Sequence, residues 1–460
     1  MTLRRLQVSL DFGWTAMTGA LPSRALGVLI QDGPVTRFAL DAGFLEQPLP
    51  VSPFLLPLST ELITHADRDF DYLPGLLADS LPDGWGRLLQ DRTFEHIGRP
   101  RVTITAMDRL AMLGAAGMGA LTFHPVERAH DDSDRLWPID LAALAAQAHR
   151  LWEGSAETVL PELRLAGGSP GGARPKILVG LQEDISGAVT LVAGVTPGMV
   201  DGTAPALPEG HAPWLVKFAA VADQAVLGHD IGALEEAYAR MARAAGLEMP
   251  PTRLLVAGDG LRHFAVRRFD RHGPGGRGRY HMHTLAGLLH ASHRMPSLDY
   301  RDVLIATRRL TRDDRMVSEV FRRAVFNVLA HNRDDHTRNL SFLMDATGTW
   351  ALAPAYDLIF NTGMNGHHMT AVNGESANPT RDDLMAVAIA GGLTKREAGR
   401  IFDEVDSAVA AWPHFAAEVD LPAAAIRDVS QAIARVRSGG TARGFLRGID
   451  TTVARDDDRI

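Results

Sequence analysis

An α+β chain in two lobes, β-rich first and helical second, with a mixed α/β domain added at the N-terminus, is what this sequence predicts. Three observations carry the expectation. Between residues 176 and 269, strand-like runs surround one amphipathic helix in the order strand, strand, strand, helix, strand, strand. After Thr284 the apolar spacing becomes helical and is interrupted by one hairpin. Before residue 128, short strand-like runs alternate with turns marked by proline and glycine. The expected boundaries are 1–127 for the N-terminal domain, 140–275 for the β-rich lobe and 276–453 for the helical lobe.

In chain order, residues 5–10 and 27–30 have strand character, and Pro48, Pro50, Pro53 and Pro57 mark an extended crossing. A helical stretch is expected at 72–77, then a loop over 80–87, where Pro82, Gly84 and Gly86 stand. Gly114, Gly117 and Gly119 lead into a strand at 120–123, and the polar run 128–140 reads as a surface connection. A glycine-rich loop, residues 166–176, feeds a strand from Ile177, and further strands are expected at 188–192 and 214–218. The helix at 232–245 sets Leu234, Ala237, Tyr238, Met241 and Ala245 on one face, and Gly246 stands where a helix-ending glycine belongs. Strands at 253–256 and 263–269 complete the lobe, an order that matches the small lobe of a protein kinase. An apolar helix ends near Ala330, and segments 341–344 and 349–352 form a hairpin around Asp345-Ala346-Thr347-Gly348. Residues 454–460 read as a frayed tail.

Composition narrows the function. The 460 residues are 46% hydrophobic and 22% charged, ordinary for a globular protein. No cysteine is present, which removes disulfides, thiolate metal sites and a cysteine nucleophile. The first residues lack the apolar core of a signal peptide and no run is long enough to span a membrane, so a cytoplasmic protein is expected. A net charge of −8 argues against direct charge-driven binding to nucleic acid.

The chemistry concentrates in His331-Asn332-Arg333-Asp334-Asp335-His336-Thr337-Arg338-Asn339, with Asp357 eighteen residues beyond the asparagine. An Asp, an Asn five residues on and a second Asp after a hairpin's length of chain suit phosphoryl transfer from a nucleotide. One carboxylate accepts the attacking hydroxyl's proton while the Asn and the other Asp hold magnesium. Asp334 has the five-residue offset to Asn339 and Asp335 does not. Lys217, in a strand, has the setting of the lysine that grips the α- and β-phosphates, with Glu235 or Glu236 of the following helix as its ion-pair partner. The glycine-rich loop is not a Walker A sequence, because Lys176 follows Pro175 and precedes Ile177. Asp11-Phe12-Gly13 spells the metal tripeptide of ordinary kinases, but it lies too early in the chain to serve as one. His281 and His283 alternate on one strand face without the remaining ligands of a zinc site.

The loop 332–341 and the stretch Leu352-Ala353-Pro354-Ala355-Tyr356-Asp357-Leu358 resemble the signature of HipA-family toxin kinases. So do Pro50-Val51-Ser52-Pro53 with Leu81-Pro82-Asp83-Gly84, then Gly171-Gly172-Ala173-Arg174-Pro175-Lys176, then Arg268-Phe269-Asp270-Arg271, in the family's order. The resemblance implies a serine/threonine protein kinase using ATP and Mg2+. Asp334 is then the catalytic base and His336 its neighbour, with Asn339 and Asp357 as metal ligands. It favours Glu235 as the partner of Lys217. It implies that Gly171, Gly172 and Lys176 cover the nucleotide's phosphates. Phe269 and Asp270 would form the hinge that meets the adenine and ribose, and Ser169 matches a serine that such kinases phosphorylate on themselves. It further implies a small helix-turn-helix antitoxin of the HipB type, DNA reached only through that partner, and an aminoacyl-tRNA synthetase as substrate. Two rival readings are a small-molecule phosphotransferase acting on aminoglycosides or choline, and a catalytically idle corepressor.

Overall fold

The computed structural model describes residues 5–32, 35–125, 137–155, 159–166, 172, 174–193, 206–219 and 230–438. Ser169 and Gly171 lie outside them. The first region is a five-stranded antiparallel sheet in the spatial order Ile63–His65, Val35–Leu40, Arg24–Asp32, Arg5–Leu10, Leu121–His124. Along Val35–Leu40 half-buried and buried residues alternate, so Thr36, Phe38 and Leu40 face inward, as in a strand with one covered face. The strand expected at 27–30 runs from Arg24 to Asp32 because it pairs on both sides.

Two expectations here are corrected. Residues 84–87 are not loop: the helix Gly84–His96 starts immediately after Asp83. Pro82 and the two glycines argue for a turn in a short window, but Trp85, Leu88 and Leu89 bury one helical face and that burial decides. The helix expected at 72–77 shrinks to Gly75–Ala78. Pro74 keeps the residue before it out of helical conformation and stands as the N-cap, while Tyr72 turns at φ 60.

The second region is a six-stranded antiparallel sheet in the order Thr252–Val256, Arg262–Arg267, Ala212–Lys217, Lys176–Glu183, Val189–Ala193, Trp137–Pro138. The helix Ile231–Ala244 packs on its first two strands; Leu234, Ala237, Tyr238 and Met241 are buried, and Gly246 takes φ 81 beyond its end. The inner face of the sheet, with Ile177, Val179 and Val216, shares one hydrophobic core with Trp85, Leu88 and Leu89 from the N-terminal region. Packing therefore crosses the expected boundary at residue 127.

The third region is mainly helical, with Tyr300–Thr311, Asp314–Leu329, Arg381–Ala390, Lys395–Ala410 and Ala423–Arg437 as its longer helices. The expected hairpin forms from Ser341–Met344 and Trp350–Leu352, and His281–Thr284 adds a third strand. Among the described residues no helix is long and apolar enough to cross a membrane.

Buried polar contacts fasten the N-terminal region to the rest. Asp270 accepts from Gly119 N at 2.7 Å, Arg268 Nη2 at 2.8 Å and Arg271 Nη1 at 2.6 Å, while the two arginines also donate to Gly117 O. Further along, His281 Nε2 lies 2.9 Å from Val51 O, and His283 stands between Asp79 Oδ2 (2.5 Å) and Ser52 Oγ (3.0 Å). This Ser–His–Asp row has the order of a hydrolytic triad, but its side chains are buried, so it acts as a strut. At Gly75 an added Cβ would collide with Gly287 O, so this helix crossing requires glycine.

Candidate active site

Lys217 ends its strand directly opposite Lys176 on one side and Phe264 on the other. Glu235 sits in the second turn of the helix whose start is fixed by Asp230, which accepts from Ala233 N at 3.0 Å. The strand end faces that turn, and Lys217 Nζ donates to Glu235 Oε1 and, at 2.5 Å, to Asp357 Oδ1. Glu236 instead accepts from Arg240 Nε at 2.9 Å, which resolves the choice between the two glutamates.

One ammonium thus serves two carboxylates. Burial works against the lysine's charge, but Asp357 and Glu235 outweigh it and hold its pKa above the ordinary lysine value. Burial likewise opposes ionisation of Asp357, yet Lys217 and Lys176 keep it well below the usual aspartate range. Glu235 is pushed up, by burial first and by repulsion from Asp357, with Lys217 offsetting part of the effect. Lys176 is buried as well, and desolvation lowers its pKa against the pull of Asp357.

The loop that begins at His331 leaves the helix Asp314–Leu329 through a left-handed residue, His331 at φ 57. Its backbone is held on both sides. Asn361 N donates to His331 O at 3.0 Å, and the buried Arg333 donates to Gly366 O. The adjacent aspartates then part company. Asp335 is 5% exposed and accepts from Tyr300 OH, His368 Nδ1, Met369 N and Thr370 N. Asp334 keeps its side chain 46% exposed, with His336 Nε2 4.0 Å away. Burial and the neighbouring Asp357 and Asp335 raise the Asp334 pKa, partly countered by His336 and Lys217.

Asn339 closes a single 3-10 turn, Thr337–Asn339, and its Nδ2 donates to Asp334 O at 2.7 Å. That bond fixes the amide and leaves its oxygen, a hard ligand atom, on the opposite side of the group. Asn339, His336 and Asp357 line one cavity of about 30 Å³ together with Tyr356 and Asp335. The hairpin brings Asp357 back, and Tyr356 orients it: its OH donates to Arg338 O at 2.5 Å and accepts from Ser341 Oγ. Asp357 itself takes φ 56.

Phe269 stacks on Tyr356 with ring centroids 5.5 Å apart, so the expected hinge residue borders the site. Asp270 does not. The expectation of a ribose contact fails because its carboxylate is 0% exposed and bound by Arg268, Arg271 and Gly119. Gly172 is held at φ 102 with Lys176 Nζ so close that a Cβ there would strike it. The sequence reading gave no role to Asp83, Trp85 and Arg338. Asp83 Oδ2 accepts from Arg338 Nη1 at 2.9 Å and Asp83 Oδ1 accepts from Gly172 N, while Trp85 Nε1 donates to Lys176 O at 2.8 Å. The signal was Leu81-Pro82-Asp83-Gly84-Trp85 itself, a polar turn next to a large aromatic.

An ammonium held by two carboxylates, a half-exposed aspartate and an oriented amide oxygen are groups able to hold a metal-bound polyphosphate beside a hydroxyl acceptor. Comparison with known proteins gives this class of site its setting. The structure is similar to HipA in the toxin–antitoxin complex of HipA, HipB and operator DNA from Shewanella oneidensis MR-1, at 17% identity and TM-score 0.61, covering 94% of this chain and 95% of that one. It also matches the proinflammatory kinase CtkA of Helicobacter pylori at 12% identity and TM-score 0.35, over 51% of this chain and 90% of that one. No curated protein matches the sequence at a significant level. Residues 168–412 match the HipA-like C-terminal domain and residues 20–124 the HipA N-terminal domain. The first match alone spans more than half of the chain, and the protein belongs to the HipA family.

Proposed function

We propose that this chain is a serine/threonine protein kinase of the HipA kind that transfers the γ-phosphoryl group of ATP to a protein of translation, of the aminoacyl-tRNA synthetase class, and so restrains growth. The observation that carries the reading is Lys217 bound to both Glu235 and Asp357, beside a loop in which Asp334 is half-exposed while Asp335 is buried and saturated. In this reading Lys217 and Lys176 hold the phosphates. Asp334 accepts the hydrogen bond of the substrate hydroxyl, aligns it and takes its proton, with His336 beside it. Asn339 and Asp357 would hold Mg2+, which supplies charge neutralisation on the phosphates; an ionised carboxylate and an oriented amide oxygen fit that hard cation. Most of the acceleration then comes from positioning and preorganised charge. Phe269 borders the adenine end.

The Shewanella relative is in complex with HipB and operator DNA. A small helix-turn-helix antitoxin of that type is the partner proposed here, with DNA reached through it and the work done in the cytoplasm. Ser169 remains the candidate for self-phosphorylation that limits activity.

The test is incubation with labelled ATP and magnesium in the presence of protein acceptors or an aminoglycoside. Label on a synthetase, or on the chain itself, that disappears with Asp334→Ala supports the proposal. Label on the aminoglycoside alone replaces it with the small-molecule phosphotransferase. Neither transfer nor nucleotide binding leaves the corepressor. Retention of self-labelling by Ser169→Ala discards that residue as the switch and keeps the kinase.

A further inference from the structure

The N-terminal region does more than pack against the sheet of the glycine-rich sequence. Asp83 stands at the N-cap of the helix Gly84–His96, where an aspartate ordinarily accepts from its own helix's first backbone N–H groups. It makes no such bond. Both of its oxygens are turned outward instead, Oδ1 to Gly172 N and Oδ2 to Arg338 Nη1 at 2.9 Å. Gly172 belongs to the glycine-rich sequence, and Arg338 lies between Asp334 and Asn339. One carboxylate therefore joins these two segments. Two residues on, Trp85 Nε1 donates to Lys176 O at 2.8 Å, and Trp85 N approaches Gly172 O at 3.5 Å. The Trp85 ring is 1% exposed in the core shared with Ile177 and Val216, so this donor is rigidly placed. Lys176 and Gly172, fastened at these points, lie against one another.

We infer that Asp83 and Trp85 are positioning residues of the active site. They latch Gly172 and Lys176 to the loop of Asp334 and Asn339, so that the N-terminal region sets the height at which the nucleotide's phosphates are held. The inference rests on the kinase reading and deepens it. Phosphate-binding groups left free must be ordered each time nucleotide binds, whereas Gly172 and Lys176 latched in this way are already in place, and that difference appears in nucleotide affinity. The pairing with Arg338 also neutralises a carboxylate that would otherwise repel phosphate.

The experiment uses the full chain with Asp83→Ala, Asp83→Asn and Trp85→Phe, the last keeping an aromatic ring in the core while deleting one donor. ATP binding, steady-state phosphotransfer and hydrogen exchange over residues 172–183 are measured for each. For Asp83→Ala the expected result is a KM and Kd for ATP raised about tenfold to a hundredfold, the range for losing hydrogen bonds to a charged group. Trp85→Phe should raise them about twofold to tenfold, with kcat less affected in both and Asp83→Asn intermediate. Native KM and Kd in all three variants would overturn the inference. So would tighter ATP binding by Asp83→Ala, because the carboxylate would then be competing with phosphate. Should the native chain neither bind nor transfer from ATP, the kinase reading falls. Hydrogen exchange then decides the latch separately: faster exchange over 172–183 in Asp83→Ala upholds it, and unchanged exchange sinks it.

Discussion

Asp270 and Asp357 are both aspartates set beside basic side chains, and in both the carboxyl is held below its ordinary range against the cost of burial. Their surroundings differ in one respect. Asp270 is 0% exposed, and donors from Arg268, Arg271 and Gly119 occupy both of its oxygens. The side chain of Asp357 is 35% exposed and shares the Lys217 ammonium with Glu235. A saturated carboxylate joins two parts of a protein; an undersupplied one facing a cleft keeps capacity for a cation or a phosphate-bound metal. The adjacent pair Asp335 and Asp334 repeats the contrast at the distance of one peptide bond.

The largest expected effect tests that adjacent pair. Asp334→Asn should lower phosphotransfer by about 10²–10⁴-fold, the usual contribution of a positioned base, while changing stability by no more than about 0.5 kcal/mol. Asp335→Asn should do the reverse in kind. An amide cannot accept from Tyr300, His368 and two backbone N–H groups at once, so its unfolding midpoint should fall, with activity declining as the loop loosens. Equal rate losses with unchanged stability in the two variants would erase the distinction drawn here. Single-turnover rates and urea denaturation read both quantities.

Breaking the clamp should come next in size. Asp270→Asn leaves Arg268 and Arg271 buried without their anion, a change that costs on the order of 3–5 kcal/mol. Because Asp270 does not face the cleft, KM for ATP should stay near the native value in whatever protein remains folded. A raised KM with unchanged stability would return Asp270 to the ribose contact that the sequence reading assigned to it.

Arg268-Phe269-Asp270-Arg271 shows where sequence reasoning stops. A strand end bearing charges next to an aromatic reads as a hinge, and Phe269 does border the site. Whether Asp270 turns to the cleft or away depends on Gly117 and Gly119, which lie about 150 residues earlier and reach it only through the tertiary fold. The return of Asp357 towards Asn339 was legible because the hairpin's length sets that separation locally, whereas its contact with Lys217, 140 residues earlier, was not. The helix at Gly84–His96 was not, because its start carries two glycines beside a proline and only the distant sheet core supplies burial for Trp85. The preference for Glu235 over Glu236 came through the family resemblance, since both glutamates are buried and helical phase alone does not separate them.

The effect that is smallest near neutral pH concerns acid. His281 lies in the strut to the N-terminal region, facing His283, Asp79, the Trp350 ring and Val51 O, and burial lowers its pKa to about 3. In the unfolded chain a histidine titrates near about 6.5. Between those values the unfolded state binds a proton that the folded state refuses, so stability is full above the upper value and falls as pH drops through the window. One such group contributes a slope of up to about 1.4 kcal/mol per pH unit. His281→Gln keeps a donor for Val51 O but cannot titrate, so its stability should fall less steeply on acidification, the difference corresponding to one proton. Asp357 makes no such contribution there, since it is held ionised far below that window. Urea unfolding of both proteins at several pH values between 4 and 7 measures the difference; parallel curves would mean that the strut opens before the histidine is asked to stay neutral.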